Sequence, residues 1–417
     1  MTESRRRSFQ TLRHRDFRLL WCADTISAFG TQMQRVAITW QVFELTGSAF
    51  SIGLLGLFRF LPTLLFGLVG GVIADQRDRR LILFWTQLAM MLSTGTLAVA
   101  TFSDSASMPL IYGITFVSSM ISAISNPSKQ ALIPALVPRN ELIGAAATVN
   151  LSMQIASVVG PAAAGLLIGV AGVGAAYVID TLSFLAVIAA VVMMRTRPDP
   201  MPITSRGLAA AVDGLKFLWA APILLAVMGL DFVATFFGAS TSLMPIFAAE
   251  VFDVGATGLG LLLSSVAVGS VIGGVALGSL PIPMRAGRVI VIAIVAYGAC
   301  IAGFGLSPNI VIAMLFLAGS GAADSISMAM RHSIRNLVTP DEFRGRVAAT
   351  HSTFAQGGPQ LGELNAGALA SLIGAPAAVA IGGTLTVLSC LVAVKKVPSL
   401  MMFHTERHEE QTGVPVQ

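Results

Sequence analysis

Seven ionisable side chains stand inside long apolar stretches of this chain: Asp24, Arg35, Arg59, Asp180, Asp231, Asp324 and Glu363. A charge in hydrocarbon costs about 2.5–3.5 kcal/mol on insertion scales, so such residues mark paths for protons or solutes, or internal ties. At the 3.6-residue period of a helix, Asp24, Ser27, Thr31 and Arg35 share one face, a polar stripe suited to an aqueous cavity. Asp24 and Arg35 lie about 16 Å apart along that helix and cannot pair with each other. Counting the rise along each stretch puts Asp24, Asp231 and Asp324 in one half of the bilayer, Arg35, Asp180 and Glu363 in the other, and Arg59 near the middle. The first three carboxylates have no evident intramembrane base. Desolvation then favours their neutral form and suits them to carry protons, Asp231 and Asp24 before Asp324. Arg59 reads equally well as a structural tie. Asp180, in "YVIDTLSFL", reads better as a hydrogen bond to neighbouring backbone or a loop. His351 is a weaker candidate for proton relay.

The elements that must hold these groups are membrane helices. Of 417 residues, 55% are hydrophobic and 11% charged, against about 45–50% apolar and about 25% charged in soluble domains. Twelve apolar segments are long enough to span, near residues 18–43, 49–74, 81–102, 108–127, 143–169, 174–194, 218–249, 257–280, 288–306, 309–330, 346–372 and 375–396. Backbone amides in lipid must be satisfied internally, so these are expected as helices. All of the 26 Lys and Arg residues except Arg35 and Arg59 fall in the tails, the centre or the turns of one side. The opposite turns hold only acids such as Asp104, Glu250 and Asp253. By the positive-inside rule both termini are cytoplasmic, which puts Asp24, Asp231 and Asp324 in the inner half. The basic start "MTESRRRSFQTLRHRDFR" reads as a tail, because the segment after it is too long and polar for a signal peptide.

The same composition excludes other classes. The basic residues are dispersed and not interleaved with aromatics, so the sequence pI of about 9.5 is a topology signal and no nucleic-acid partner is expected. No G-x-x-x-x-G-K-[ST] loop occurs, which leaves no nucleotide engine. Cys22, Cys300 and Cys390 are far apart in apolar runs and support neither a disulfide framework nor a metal site. With no metal or nucleophile constellation and no long soluble segment, neither an enzyme nor a cofactor is expected.

Two stretches repeat: "KQALIPALVPRNELIGA" from Lys129 and "RHSIRNLVTPDEFRGRV" from Arg331, each followed by a Gly-Pro, Gly160-Pro161 and Gly358-Pro359. The chain thus divides into a tail (1–17), a first six-helix half (18–194), a linker (195–217), a second half (218–396) and a second tail (397–417). Internal symmetry with a site between halves is how many secondary transporters are built.

"GGVIADQRDRR", with Gly71, Ile73, Ala74, Asp75, Arg79 and Arg80, resembles the loop signature G-x-L-A-D-x-x-G-R-R/K of the major facilitator superfamily. Asp78 stands where that pattern has glycine. Together with "QVFELTGSAFSIGLLG" and "TPDEFRGRV", it resembles the branch of enterobactin exporters and macrolide efflux pumps. "VVGPAAAG", holding Gly160 and Pro161, is similar to the Gly-Pro signature of the superfamily's antiporters. The resemblance implies an all-α membrane protein with twelve transmembrane helices in two pseudo-symmetric halves. It implies that Asp75 caps the start of span 11, that Arg79 and Arg80 pair with acids, and that spans 2 and 11 are neighbours, so Glu363 is expected to pair with Arg59 or Arg35. The implied function is export of a small molecule through the plasma (inner) membrane in exchange for protons, by a monomer. The implied substrate is a siderophore or a hydrophobic drug, and the cavity arginines favour an anionic siderophore. A proton-coupled importer shares most of these features. A non-transporting scaffold or sensor is the alternative of another class, and the intramembrane charges speak against it.

Overall fold

The computed structural model describes residues 11–196, 222–279, 285–339, 344–397 and 401. Much of both expected tails and of the linker lies outside these residues, as do the surroundings of Gly71 and the side chain of Asp75. The described residues form twelve long helices and no strand. In chain order these are α1 (Arg15–Thr46), α2 (Ala49–Gln76), α3 (Arg79–Phe102), α4 (Met108–Leu132), α5 (Leu142–Ala171) and α6 (Val173–Met193), then α7 (Pro222–Phe237), α8 (Gly255–Ser279), α9 (Ala286–Gly305), α10 (Ile310–Val338), α11 (Arg344–Ile373) and α12 (Ala375–Lys396). Among the described residues, 10 helices are long and apolar enough to cross a membrane by composition alone. The other two are α1 and α11, which carry Asp24, Arg35, His351 and Glu363 inside their length.

Contacts gather the chain into two compact units. One holds Met1–Gly47, Phe58–Ser205 and Val254–Ser264, and the other Ser48–Leu57, Arg206–Asp253 and Ser265–Gln417. In each half it is the second helix, α2 or α8, that contributes its first turns to the unit built mostly from the other half. In the first unit, Phe17, Leu20, Leu83, Leu132, Val187 and Val191 form a buried cluster that joins the ends of α1, α3, α4 and α6. In the second, Val227, Ile290, Ile294, Met330, Ile334 and Cys390 do the same for α7, α9, α10 and α12. Large apolar side chains such as Val170 (90% exposed) and Leu372 (81%) face outward; so much exposed apolar surface belongs in lipid.

Polar side chains add lateral ties within the first unit. On α1, Gln34 Nε2 donates to Thr94 Oγ1 of α3 at 2.8 Å and Gln41 Nε2 to Thr101 Oγ1 at 2.9 Å, while Tyr177 Oη of α6 donates to Gln41 Oε1 at 2.8 Å. The expected Gly-Pro of span 5 lies inside α5, with both residues buried. A Cβ on Gly160 would stand 2.7 Å from Gln32 Cβ, so glycine is what lets α5 approach α1 this closely.

Three element boundaries differ from the sequence reading. α4 runs on to Leu132, more than one turn past the expected 108–127, and α10 to Val338, about two turns past the expected 309–330. The hydropathy drops there, but the helical hydrogen bonding does not stop. α7 ends early, at Phe237, and an irregular helical segment resumes at 241–251, ending in a π-helical turn. Tyr297 of α9 fills the break: its hydroxyl donates to Gly238 O at 3.0 Å, and its ring would lie 2.5 Å from a Cβ there.

Candidate functional site

The helix extensions decide the electrostatics. Lys129 and Arg331, which sequence reading puts in turns, lie on α4 and α10 and face acids on the first helix of their own halves. Lys129 Nζ of α4 is ion-paired to Asp24 Oδ1 of α1, both side chains largely buried. Arg331 of α10, 5% exposed, donates to Asp231 Oδ1 of α7 at 2.9 Å and lies 3.5 Å from Asp324 Oδ1 on its own helix. The expectation that these three carboxylates lack an intramembrane base is therefore wrong. Each has a base one helix away or two turns along, because lysine and arginine stems are long enough to reach back into the bundle. A sequence signal existed, since both bases open the two repeated stretches.

Around Arg331 the second unit collects more polar groups. His351 Nε2 of α11 is 3.9 Å from Asp231 Oδ2. The His351 ring meets that of His332 with centroids 5.5 Å apart, and Arg335 donates to His332 Nδ1 at 3.1 Å. An aromatic group lies beside this cluster. Phe232 stacks on Phe236 with centroids 5.9 Å apart and meets Phe354 edge-on at 6.1 Å.

The remaining candidates are distributed. The hydroxyl of Thr31, half-buried on α1, donates to Asp180 Oδ1 at 3.5 Å. Asp180 is fully buried on α6 and also accepts from Thr94 at 3.4 Å and Ser183 at 3.5 Å. It ties α1, α3 and α6 through hydroxyls, where backbone or a loop was expected. A buried carboxylate is well satisfied by several short donors. Arg35 is exposed and reaches Gln32 on its own helix at 3.4 Å. Arg59 is half-buried on α2, where its carbonyl accepts from Thr63. Glu363 of α11 lies against the start of α2, its Oε2 3.1 Å from where a Cβ on Gly56 would stand.

The loop after α2 also differs from expectation. Asp78 is the N-cap of α3 and accepts from the Arg80 amide at 2.9 Å, which gives the departure from glycine a role. Arg80 donates to the carbonyls of Val191 (2.7 Å) and Val192 (2.9 Å) where an acid was expected, and Arg79 donates to Ala131 O at 3.2 Å. Unsatisfied carbonyls at the ends of α6 and α4 attract guanidinium groups as an acid would. At the same end of this unit, Asp16 accepts from the amides of Arg195 (2.9 Å) and Thr196 (2.7 Å) and from the Thr196 hydroxyl. Burial opposes ionisation of Asp16, but these hydrogen bonds outweigh it and hold its carboxyl below the usual range.

Ionic side chains paired inside an apolar helical bundle are what a membrane transporter requires. The chain belongs to the transmembrane secretion effector family of the major facilitator superfamily, whose family model matches residues 6–412. It is 24% identical over 360 residues to the enterobactin exporter EntS of Escherichia coli O1:K1 / APEC, covering 86% of both chains. With the enterobactin exporter EntS of Citrobacter koseri it is 24% identical over 383 residues, covering 89% of both. Among solved structures it is similar to a bacterial homologue of the human lysosomal transporter Spinster, inward-facing and unoccupied. That likeness has a TM-score of 0.71 at 14% identity and covers 96% of this chain and 99% of that one. The nucleoside transporter NupG gives a TM-score of 0.71 at 12% identity, covering 91% and 99%. The protein is thus a multi-pass secondary transporter of a small molecule, not an enzyme.

Proposed function

We propose that this protein exports a small molecule, a siderophore or a hydrophobic drug, in exchange for protons by alternating access. The observation that carries the reading is that each half sets a carboxylate of its first helix against a base of its fourth: Asp24 against Lys129, and Asp231 against Arg331. A proton or a solute that breaks such a tie changes which helix contacts are favourable, and that is the differential energy a two-state carrier needs. The likeness to enterobactin exporters over most of both chains supports the outward direction. In this reading the halves 18–194 and 218–396 rock about a central site, with both termini on the cytoplasmic side of the inner membrane and the monomer as the working unit. Asp75 latches the gate, and Glu363 pairs with Arg59 or Arg35. If Glu363→Gln and a neutral substitution of its partner cost transport additively, that pairing is wrong. The direct test of the whole reading uses everted membrane vesicles with enterobactin and a macrolide as probes and a pH-sensitive dye as readout. Gradient-dependent accumulation of a probe with matching proton efflux is the expected result. Accumulation only in right-side-out vesicles would make the protein an importer, and no movement in either would refute transport of both classes.

A further inference from the structure

Within the antiport reading, on which this inference rests, we propose that Asp324 is the carboxylate that takes and gives up the coupling proton. Asp231 and Arg331 are its positioning residues, and the Asp24–Lys129 pair stays ionised throughout the cycle. The two ionic sites differ in stoichiometry. In the first unit one carboxylate meets one ammonium, so the fully ionised pair is locally neutral. In the second unit one guanidinium stands between two carboxylates, and the ionised trio carries one surplus negative charge. An uncompensated charge inside a bundle is costly, and one bound proton removes it.

Geometry chooses between the two carboxylates. Asp231 is held at 2.9 Å with its side chain 11% exposed, whereas Asp324 is at 3.5 Å with its side chain 44% exposed. The longer contact is the weaker one, and the Asp324 side chain keeps more open surface than that of Asp231. Asp324 and Arg331 are seven residues apart on α10, nearly two turns and on one face. A helical side chain leans toward its helix N-terminus, so Arg331 reaches back to Asp324 from the turns after it. Ser327, between them and 1% exposed, has a hydroxyl with no hydrogen-bond partner among the described residues, an acceptor ready for a protonated carboxyl.

Among the described residues, the charged and titratable groups around Asp324 lie on α7, α9, α10 and α11. α7 presents Asp231 and α10 presents Arg331, while His332 and Arg335 engage each other further toward the end of α10. α11 presents His351, which is directed at Asp231. On α9, Tyr297 is within electrostatic reach of the trio, and its hydroxyl is committed to Gly238 O. Residues 265–279 of α8 contain no titratable group. Arg335 is about 16 Å further along α10 than Asp324, too far to supply a second counter-charge. The step balances simply: a proton from water binds the Asp324 carboxylate, the contact to Arg331 is lost, and Arg331 keeps Asp231. The reverse step returns the proton to water.

The test is infrared difference spectroscopy of the purified full-length protein in lipid nanodiscs, titrated over pH. A carboxylic-acid carbonyl band is expected to titrate in the wild type, to vanish in Asp324→Asn, to return shifted in Asp324→Glu and to persist in Asp24→Asn. If Asp324→Asn does not fold, Arg331→Lys is expected to move the midpoint of the band and Lys129→Arg to leave it in place. A band that survives Asp324→Asn, disappears in Asp24→Asn, moves only in Lys129→Arg, or is absent from the wild type overturns the assignment. A band behaving as expected while enterobactin and macrolide movement ignores the pH gradient overturns the antiport reading alone.

Discussion

The two halves solve one structural problem with different charge counts. Each puts an acid on its first helix and a base near the end of its fourth, but the first half uses a matched Asp24–Lys129 pair and the second makes Arg331 serve both Asp231 and Asp324. Repeated topology fixes where the ionic tie sits. The local count of acids fixes whether the tie can stay ionised. In the antiport reading, the matched pair acts as a clamp and the unmatched trio as the proton switch.

The sharpest way to break this comparison is to remove the base from each side. Arg331→Met strands two carboxylates and is expected to cost about 3–5 kcal/mol and to abolish transport, as read by thermal unfolding in detergent and by vesicle uptake. Adding Asp231→Asn and Asp324→Asn to that variant should recover most of the stability but none of the coupling. Lys129→Met strands only Asp24, in a more open pair, and its cost is expected to be smaller and nearly cancelled by adding Asp24→Asn. Equal penalties for the two single variants would erase the distinction drawn here.

A smaller effect sharpens the picture in the first unit. Asp180→Ala leaves the hydroxyls of Thr31, Thr94 and Ser183 without their shared acceptor, an expected loss of about 2 kcal/mol. Proton-linked transport should survive in that variant. Loss of coupling without loss of stability would promote Asp180 from tie to proton carrier.

Two further changes probe the hydrogen-bonded end of the same unit. Asp16 has its folded-state pKa below the ordinary 3.8, so its stabilisation is fully present above the unfolded value and fades as pH falls through the folded one. Asp16→Asn should therefore lower the midpoint of thermal unfolding at pH 7, and the gap to wild type should shrink on acidification below about pH 4. Arg80→Ala, which frees the carbonyls of Val191 and Val192, is expected to be the mildest, at about 1 kcal/mol by chemical denaturation.

Much of the fold was legible because lipid leaves a chain few options. Apolar runs of span length, turns of alternating charge and the repeat from Lys129 and Arg331 point to twelve helices in two halves. The candidate acids were legible for the same reason, since Asp24, Asp231 and Asp324 stand out against apolar surroundings. Their partners were not. Lys129 and Arg331 follow the last apolar residue of their segments and count as turn charges under the positive-inside rule, yet α4 and α10 continue past them. Gln34 and Gln41 recur at the same spacing as Thr94 and Thr101, a match that acquires meaning only once α1 and α3 lie side by side.

Hydropathy and charge placement alone set the number, order and membrane character of the helices, because transfer free energy is a property of each segment on its own. Which charge neutralises which was decided by packing: an ion pair depends on a few ångströms between helices remote in sequence, and no one-dimensional pattern encodes that distance.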